Sequence, residues 1–326
     1  MVGKYEIEIY DNHISYHLEI KRNITVIQGN SATGKSELIR MLSDYNRAGA
    51  SSGITVICEK TCLAMVSSDW TLVLPQLHDN IIFIDENNSY IKTRDFAEIV
   101  NKSDNYFVLI CRDGLPMLSY SVEEIYGFRQ GRPSQKYLEA KRVYNEMYRI
   151  YNLEDDKNIK PDIIVTEDSN SGYEFFKTAV SCKVLTAKGK SRMAEKIRSL
   201  QTSDVTVLSI VDGAAFGADM GEYTRQTENA LCKCYLYAPE SFEYLILMAG
   251  ICEIPREKLE RTYDFADSTK YSSWERFYYN LLVENTKETV YKYSKRHINK
   301  SYLTAGSRNR IMSQLPQKLS LLNITS

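Results

Sequence analysis

The chain has 326 residues, 43% of them hydrophobic and 25% charged, with a formal net charge of −1. This composition excludes a disordered or fibrous protein, and the length predicts two domains, because a single core stops growing at roughly 250–300 residues. No apolar run of about 18 residues occurs and MVGKYEIEIYDNH lacks the basic start and apolar core of a signal peptide, so the expected location is cytoplasmic with no membrane partner. The seven cysteines lie mostly in apolar runs without a C-x-x-C pair and read as buried thiols; four scattered histidines give a zinc site little to be built from.

YEIEIYDNHISYHLEI (5–20) alternates apolar and polar residues on both sides of Asp11-Asn12, which predicts a β-hairpin. ITVIQ (24–28) predicts a buried strand, GNSATGKS a loop and ELIRMLSDYNRA a helix. Further strands are expected at 54–58, 81–84 and 106–111, with a helix or loop at 93–104. Strands alternating with helices predict a parallel α/β sheet. PSQKYLEAKRVYNEMYRIYN (133–152) reads as one helix, with Leu138, Val143, Met147 and Ile150 broadly on one side. A second α/β series follows the polar stretch LEDDKNIKP: strands at 162–167, 182–186, 205–211 and 232–238, with helices between them and a helical pattern from Pro239 onward. The expected layout is therefore 1–132, a helical linker 133–157, an α/β domain 158–240 and a helical C-terminal region 241–326.

Gly29-Asn30-Ser31-Ala32-Thr33-Gly34-Lys35-Ser36 is G-x-x-x-x-G-K-S between a strand and a helix. Phosphates carry dense negative charge, and a loop whose backbone N–H groups converge at a helix N-terminus answers it; glycines let the backbone approach closely. Lys35 would reach the β- and γ-phosphates of ATP and Ser36 would ligate Mg²⁺. IIFIDE places Asp85 and Glu86 at the end of an apolar strand, where α/β sheets bind ligands. Asp85 suits an indirect hold on Mg²⁺, and Glu86 suits a base that orients water toward the γ-phosphate. The bland alternative is a Gly-rich turn without function.

Over about residues 1–130 the chain resembles the P-loop NTPases that carry an acidic pair after the Walker B strand, and its opening hairpin is similar to the start of ATP-binding-cassette and RecF-like ATPases. It departs from those families in lacking an LSGG-like signature, so their head-to-tail dimerisation is not expected. The resemblance makes Arg112, just past the strand 106–111, a sensor of the γ-phosphate; the alternative is a surface residue at a strand end.

The order strand, Glu167, helix, strand, Gly189, helix, strand, Asp212 is similar to the TOPRIM fold of topoisomerases, primases and OLD-family nucleases. That resemblance implies that Glu167 and Asp212 hold Mg²⁺ for phosphodiester chemistry. SIVDGAAFGAD (209–219) departs from the D-x-D pattern, with Ala214 in place of the second aspartate; Asp168, Glu174 and Asp219 are candidates to compensate. The alternative is a generic α/β domain whose strands end in acids. Between Lys287 and Arg310 seven Lys or Arg face one acid, interleaved with Tyr291, Tyr293 and Tyr302, which reads either as a nucleic-acid platform or as a helix packed on the core.

The function these features predict is an ATP-binding, ATP-hydrolysing module that controls a TOPRIM-like Mg²⁺-dependent domain acting on DNA or RNA. By resemblance to OLD-type systems, the setting is phage defence and the state a homo-oligomer or a complex with a partner protein. The alternatives are a nucleotide switch with a degenerate acidic site that only binds nucleic acid or a partner, and a small-molecule P-loop kinase.

Overall fold

The computed structural model describes residues 1–29, 34–130, 143–151, 158–200, 203–319 and 321. The protein is α/β, with one large mixed sheet and a separate parallel sheet. Two compact units divide the chain: Met1–Tyr151 with Tyr263–Ser272, and Asn152–Thr262 with Ser273–Ser326.

In the first unit, β1 (Tyr5–Tyr10) and β2 (Ile14–Ile20) form the hairpin, in register from Tyr5 opposite Ile20 to Tyr10 opposite Ser15. Asp11 fixes its turn, its Oδ1 accepting the N–H groups of His13 and Ile14 at 2.7 and 2.8 Å. Alternation buries Tyr5, Ile7, Ile9, Tyr16, Leu18 and Ile20 in a cluster shared with Leu38, Ile39, Met41 and Leu42 of α1 (Lys35–Ala48). The remaining elements are β3 (Ile24–Ile27), β4 (Thr55–Ile57), β5 (Cys62–Ala64), α2 (Trp70–Val73), β6 (Ile81–Ile84), α3 (Arg94–Lys102), β7 (Tyr106–Ile110), β8 (Ile125–Gln130) and β9 (Val143–Arg149). Their order in the sheet is β4-β1-β2-β9-β8-β3-β7-β6-β5. The block from β8 to β5 is parallel, and its strands β3, β6 and β7 are buried at every residue, as strands covered on both faces are.

Two expectations are corrected here. Val143–Arg149 is a strand, pairing antiparallel with β8 and parallel with β2, instead of the helix read over 133–152; residues 133–142 and 152 of that stretch lie outside the described residues. The first sheet is mixed and not purely parallel, because the β1–β2, β8–β9 and β1–β4 pairs are antiparallel, the last at an edge where Ile57 is 52% exposed.

The second unit carries β10 (Ile163–Thr166), α4 (Ser171–Ala179), β11 (Lys183–Thr186), α5 (Met193–Arg198), β12 (Thr206–Ile210), α6 (Met220–Glu228), β13 (Lys233–Tyr237), α7 (Phe242–Met248), α8 (Glu257–Glu260), α9 (Trp274–Thr286) and α10 (Ala305–Met312). The sheet order is β11-β10-β12-β13, all parallel. The chain leaves β10 toward one side and then returns past it to β12, which makes the β10–β12 boundary a switch point where the strand ends open a crevice. Tyr293 and Tyr302, proposed above as stacking rings, are 4% and 0% exposed; Tyr302 packs edge-on against Tyr293 and donates its hydroxyl to the Tyr291 carbonyl at 2.5 Å. The structure corrects the platform reading for these two rings, which belong to the core.

Candidate functional site

In the first unit the chain turns from β3 into α1 through two described glycines in the positive-φ region, Gly29 at 141° and Gly34 at 83°. A Cβ on Gly34 would also meet the Tyr16 hydroxyl at 2.9 Å, and that hydroxyl donates to the Gly34 carbonyl at 2.6 Å. Gly34 caps α1 directly before Lys35, which is 7% exposed and donates its Nζ to the Gly29 carbonyl at 2.7 Å. Burial pushes the Lys35 ammonium below its ordinary range, against the opposing pull of Glu86. Ser36 is exposed in the first turn of the same helix. Asn30, Ser31, Ala32 and Thr33 lie outside the described residues.

Since β7 lies between β3 and β6, the ends of these three strands bring Lys35, Arg112 and the Asp85–Glu86 pair to one edge of the sheet. Asp85 accepts the Glu86 N–H on Oδ1 and the Asn87 amide on Oδ2, both at 2.8 Å, so its carboxylate is rigidly held. Arg112 Nε donates to Glu86 Oε1 at 2.8 Å. This edge offers a phosphate a buried cation, a helix N-terminus and an anchored acid, and the arginine holds the carboxylate read as a base.

The second unit gathers acids at the β10–β12 crevice. Asp212 donates its N–H to Glu167 Oε2 at 3.0 Å, and its own Oδ1 accepts the Phe242 N–H at the start of α7 at 3.1 Å. Lys295 joins them from 83 positions on: its Nζ lies 2.5 Å from Glu275 Oε1 and 3.9 Å from Asp212 Oδ2. Glu243, 1% exposed, accepts the Tyr293 hydroxyl at 2.8 Å, and Ser171 in turn bonds that hydroxyl at 2.7 Å. Glu167, Asp168, Asp212, Glu243 and Lys295 line a cleft of about 30 Å³, room for little more than one water or ion.

The electrostatics follow from crowding. Burial raises the Glu167 carboxyl to about 7, helped by Glu275 and opposed by the Asp212 N–H. Asp212 stands well above the usual carboxylate range through burial and the charges of Glu275, Glu167 and Glu243, with Lys295 opposing. Burial alone would lower the Lys295 ammonium, but Asp212, Glu275 and Glu243 together raise it. Four acids around one ammonium are what a divalent cation relieves, and Mg²⁺ needs only one or two carboxylates beside water and phosphate; in that sense the residues fit the metal. Among the described residues no group of three or more His, Cys, Asp or Glu side chains is placed to hold a metal ion.

Of the residues named from sequence, Glu167 and Asp212 meet directly, and Asp168 lines the same cleft with its carboxylate bonded to Asn170. Glu174 is engaged elsewhere, accepting from Ile298 N–H at 2.7 Å and facing His297. Asp219 is absent from the cleft lining. Sequence reasoning missed Glu243, Glu275 and Lys295. A signal for the first was present, since Glu243 shares the helical face of Ile246 and Leu247 and is an acid on an apolar stripe. Nothing local marks the other two, which reach the cleft only through the tertiary fold. Comparison of the chain with protein-family models, curated proteins and solved structures matches none of them.

Proposed function

We propose that the first unit is a P-loop NTPase that binds ATP with Mg²⁺ and hydrolyses it, and that the second is a TOPRIM-like, Mg²⁺-dependent domain acting on nucleic acid under its control. The observation that carries the first half is the buried Lys35 ammonium at the start of α1 in the field of Glu86 and Asp85. In this reading Lys35 and the N–H groups at the start of α1 hold the phosphates, and Ser36 with Asp85 holds Mg²⁺, which supplies charge neutralisation at the phosphate oxygens. Glu86 orients the attacking water once Arg112 turns from it toward the γ-phosphate. The second half draws on Glu167 and Asp212 at a switch-point crevice, where Lys295 adds a cation for a phosphodiester. Phage defence follows from the resemblance to OLD-type systems alone.

Glu86→Gln keeps the shape and hydrogen bonds of the side chain and removes its basicity. It is expected to bind ATP as wild type does and to hydrolyse it about 100-fold more slowly, as loss of a general base does. ATP titration and phosphate release measure the two separately. Undiminished release excludes Glu86 as the base, and a phosphorylated small molecule appearing with ADP would make the chain a kinase. A second reading, a nucleotide switch whose acidic cleft binds without cutting, is favoured by Lys295, which already neutralises part of the charge a metal would.

A further inference from the structure

β4 and β5 stand at opposite ends of the nine-strand order, yet only residues 58–61 join them. Nine strands laid flat at about 4.8 Å spacing would hold the outer two about 38 Å apart. From Ile57 to Cys62 the chain reaches at most about 18 Å even when fully extended. The sheet therefore curls until its edges approach, and α1 shares one core with β1, β2, β6 and β7.

A cysteine stands at each end of this short link. Cys58 follows β4 and is half-buried, while Cys62 opens β5 and is 4% exposed. Both sulfurs fold onto the backbone of Lys60: Cys58 Sγ accepts its N–H at 3.4 Å, and Cys62 Sγ donates to its carbonyl at 3.7 Å. The Cys62 thiol also hydrogen-bonds the Cys58 sulfur. Asn46, near the end of α1, anchors the backbone beside them, donating its amide to the Cys62 carbonyl at 2.9 Å and accepting the Ala64 N–H at 2.8 Å.

The two thiols are unequal. The Cys62 thiol, with the N–H groups of Lys60 and Glu59, holds Cys58 below the ordinary thiol range against its burial. The same hydrogen bond, with burial, holds Cys62 well above that range. Cys58 is thus the sulfur that ionises first and the one that solvent reaches, and the thiolate is the nucleophilic form. Cys232 and Cys234 make a second close pair, with Sγ atoms 3.5 Å apart, but there burial pushes Cys234 up to about 12 and Cys232 raises it further.

We propose that Cys58 and Cys62 form a site of reversible oxidation by hydroperoxides, with Cys58 as the attacking sulfur and Cys62 as the resolving one. The Cys58 thiolate attacks one oxygen of hydrogen peroxide and the O–O bond breaks. Cys58 becomes a sulfenic acid, and the other oxygen leaves as water with the proton that Cys58 had released. The Cys62 sulfur then displaces the sulfenic oxygen, which departs as water with the Cys62 proton, and the disulfide closes. Two thiols have lost two electrons and two protons, and the peroxide has become two waters. The bond would lock the link between the sheet edges next to the Asn46 anchor of α1, independently of any nucleotide or metal.

The test is treatment of the full-length chain with a slight molar excess of hydrogen peroxide at neutral pH, followed by thiol alkylation and tryptic digestion. Trypsin cuts after Lys60, so the disulfide is read as peptide 48–60 linked to peptide 61–92, a link that dithiothreitol should undo. Cys58 is expected to be consumed at least about fivefold faster than Cys182 and Cys252, whose thiols burial pushes up. Cys62→Ser should leave Cys58 as a sulfenic acid that dimedone captures, and Cys58→Ser should leave Cys62 a free thiol. Cys58 passing to sulfinic acid without linked peptides would overturn the pairing. Consumption of Cys58 no faster than that of Cys182 and Cys252 would overturn the site. Both of these outcomes are read on the wild-type chain and do not depend on how the variants fold.

Discussion

Lys35→Ala is expected to lower ATP hydrolysis by about a thousandfold while the first unit stays folded. Lys35 sits almost fully buried, its Nζ 2.7 Å from the Gly29 carbonyl, at the first residue of α1. A point charge held there stabilises the negative charge that builds on transferring phosphate oxygens, and removing one such preorganised group costs about 4 kcal/mol of barrier, or about three orders of magnitude in rate. The fold itself does not depend on that charge: burial holds the ammonium below its ordinary range, meaning the native state disfavours the charged form it carries at neutral pH. Activity should therefore fall while the melting temperature stays within a few degrees of wild type. Phosphate release and a thermal melt of one preparation check both, and hydrolysis above a tenth of wild type would remove Lys35 from the phosphate site.

Gly213→Ala is expected to be the most damaging single-methyl change in the second unit. A Cβ on Gly213 would lie 2.5 Å from the Ala238 carbonyl oxygen and 2.8 Å from that of Pro239, both backbone atoms that cannot swing aside. Retreat is blocked as well, because Val211, Gly213 and Ala214 donate their N–H groups to Tyr237, Pro239 and Glu240 at 3.1, 2.6 and 3.1 Å, an extension of the β12–β13 pairing beyond the strands. Overpacking of this kind costs about 3 kcal/mol, which for a unit of this size lowers the melting temperature by roughly 6–12 °C. Gly221 in α6 is the control. A Cβ there meets nothing within 4 Å, so Gly221→Ala should be neutral or slightly stabilising. Equal melting temperatures for the two variants would show that the 211–214 segment can move. Since Asp212 lies between the affected residues, Gly213→Ala should also weaken divalent-cation binding.

The elements most legible in the sequence are those whose cause is local. Alternation at 5–20 marked the hairpin because each buried face repeats every second residue, and the helix expected from Glu37 after the GNSATGKS loop is present, starting two residues earlier at Lys35. Strands β6, β7, β10 and β12 were legible as apolar runs bounded by polar residues. β9 was not: Val143, Met147 and Ile150 fall at helical spacing, yet the segment pairs between β2 and β8, and tertiary pairing overrode the local period. β5 and β8 were missed for a related reason, since neither burial nor neighbour identity is written in a short strand, whereas β4 falls within the strand expected at 54–58.

The same division holds for the sites. Glu167 and Asp212 could be named because each ends a strand, and adjacent strands of a parallel sheet deliver their ends to one crevice. Glu275 and Lys295 enter from α9 and from the segment after it, and no period or motif ties residue 295 to residue 212. Glu243 was readable in principle as an acid among apolar neighbours.

The most direct measurement is a crystal structure of the full-length chain grown with a non-hydrolysable ATP analogue and Mn²⁺, with the metal located by anomalous scattering. Two Mn²⁺ peaks are predicted, one between the analogue's phosphates, Ser36 and the Asp85 region, and one at the Glu167–Asp212 cleft, with Arg112 turned from Glu86 toward the γ-phosphate. An analogue bound away from Lys35, or a Glu167–Asp212 cleft without Mn²⁺ at concentrations that fill the nucleotide site, would contradict the pairing of a nucleotide site with a metal-dependent one.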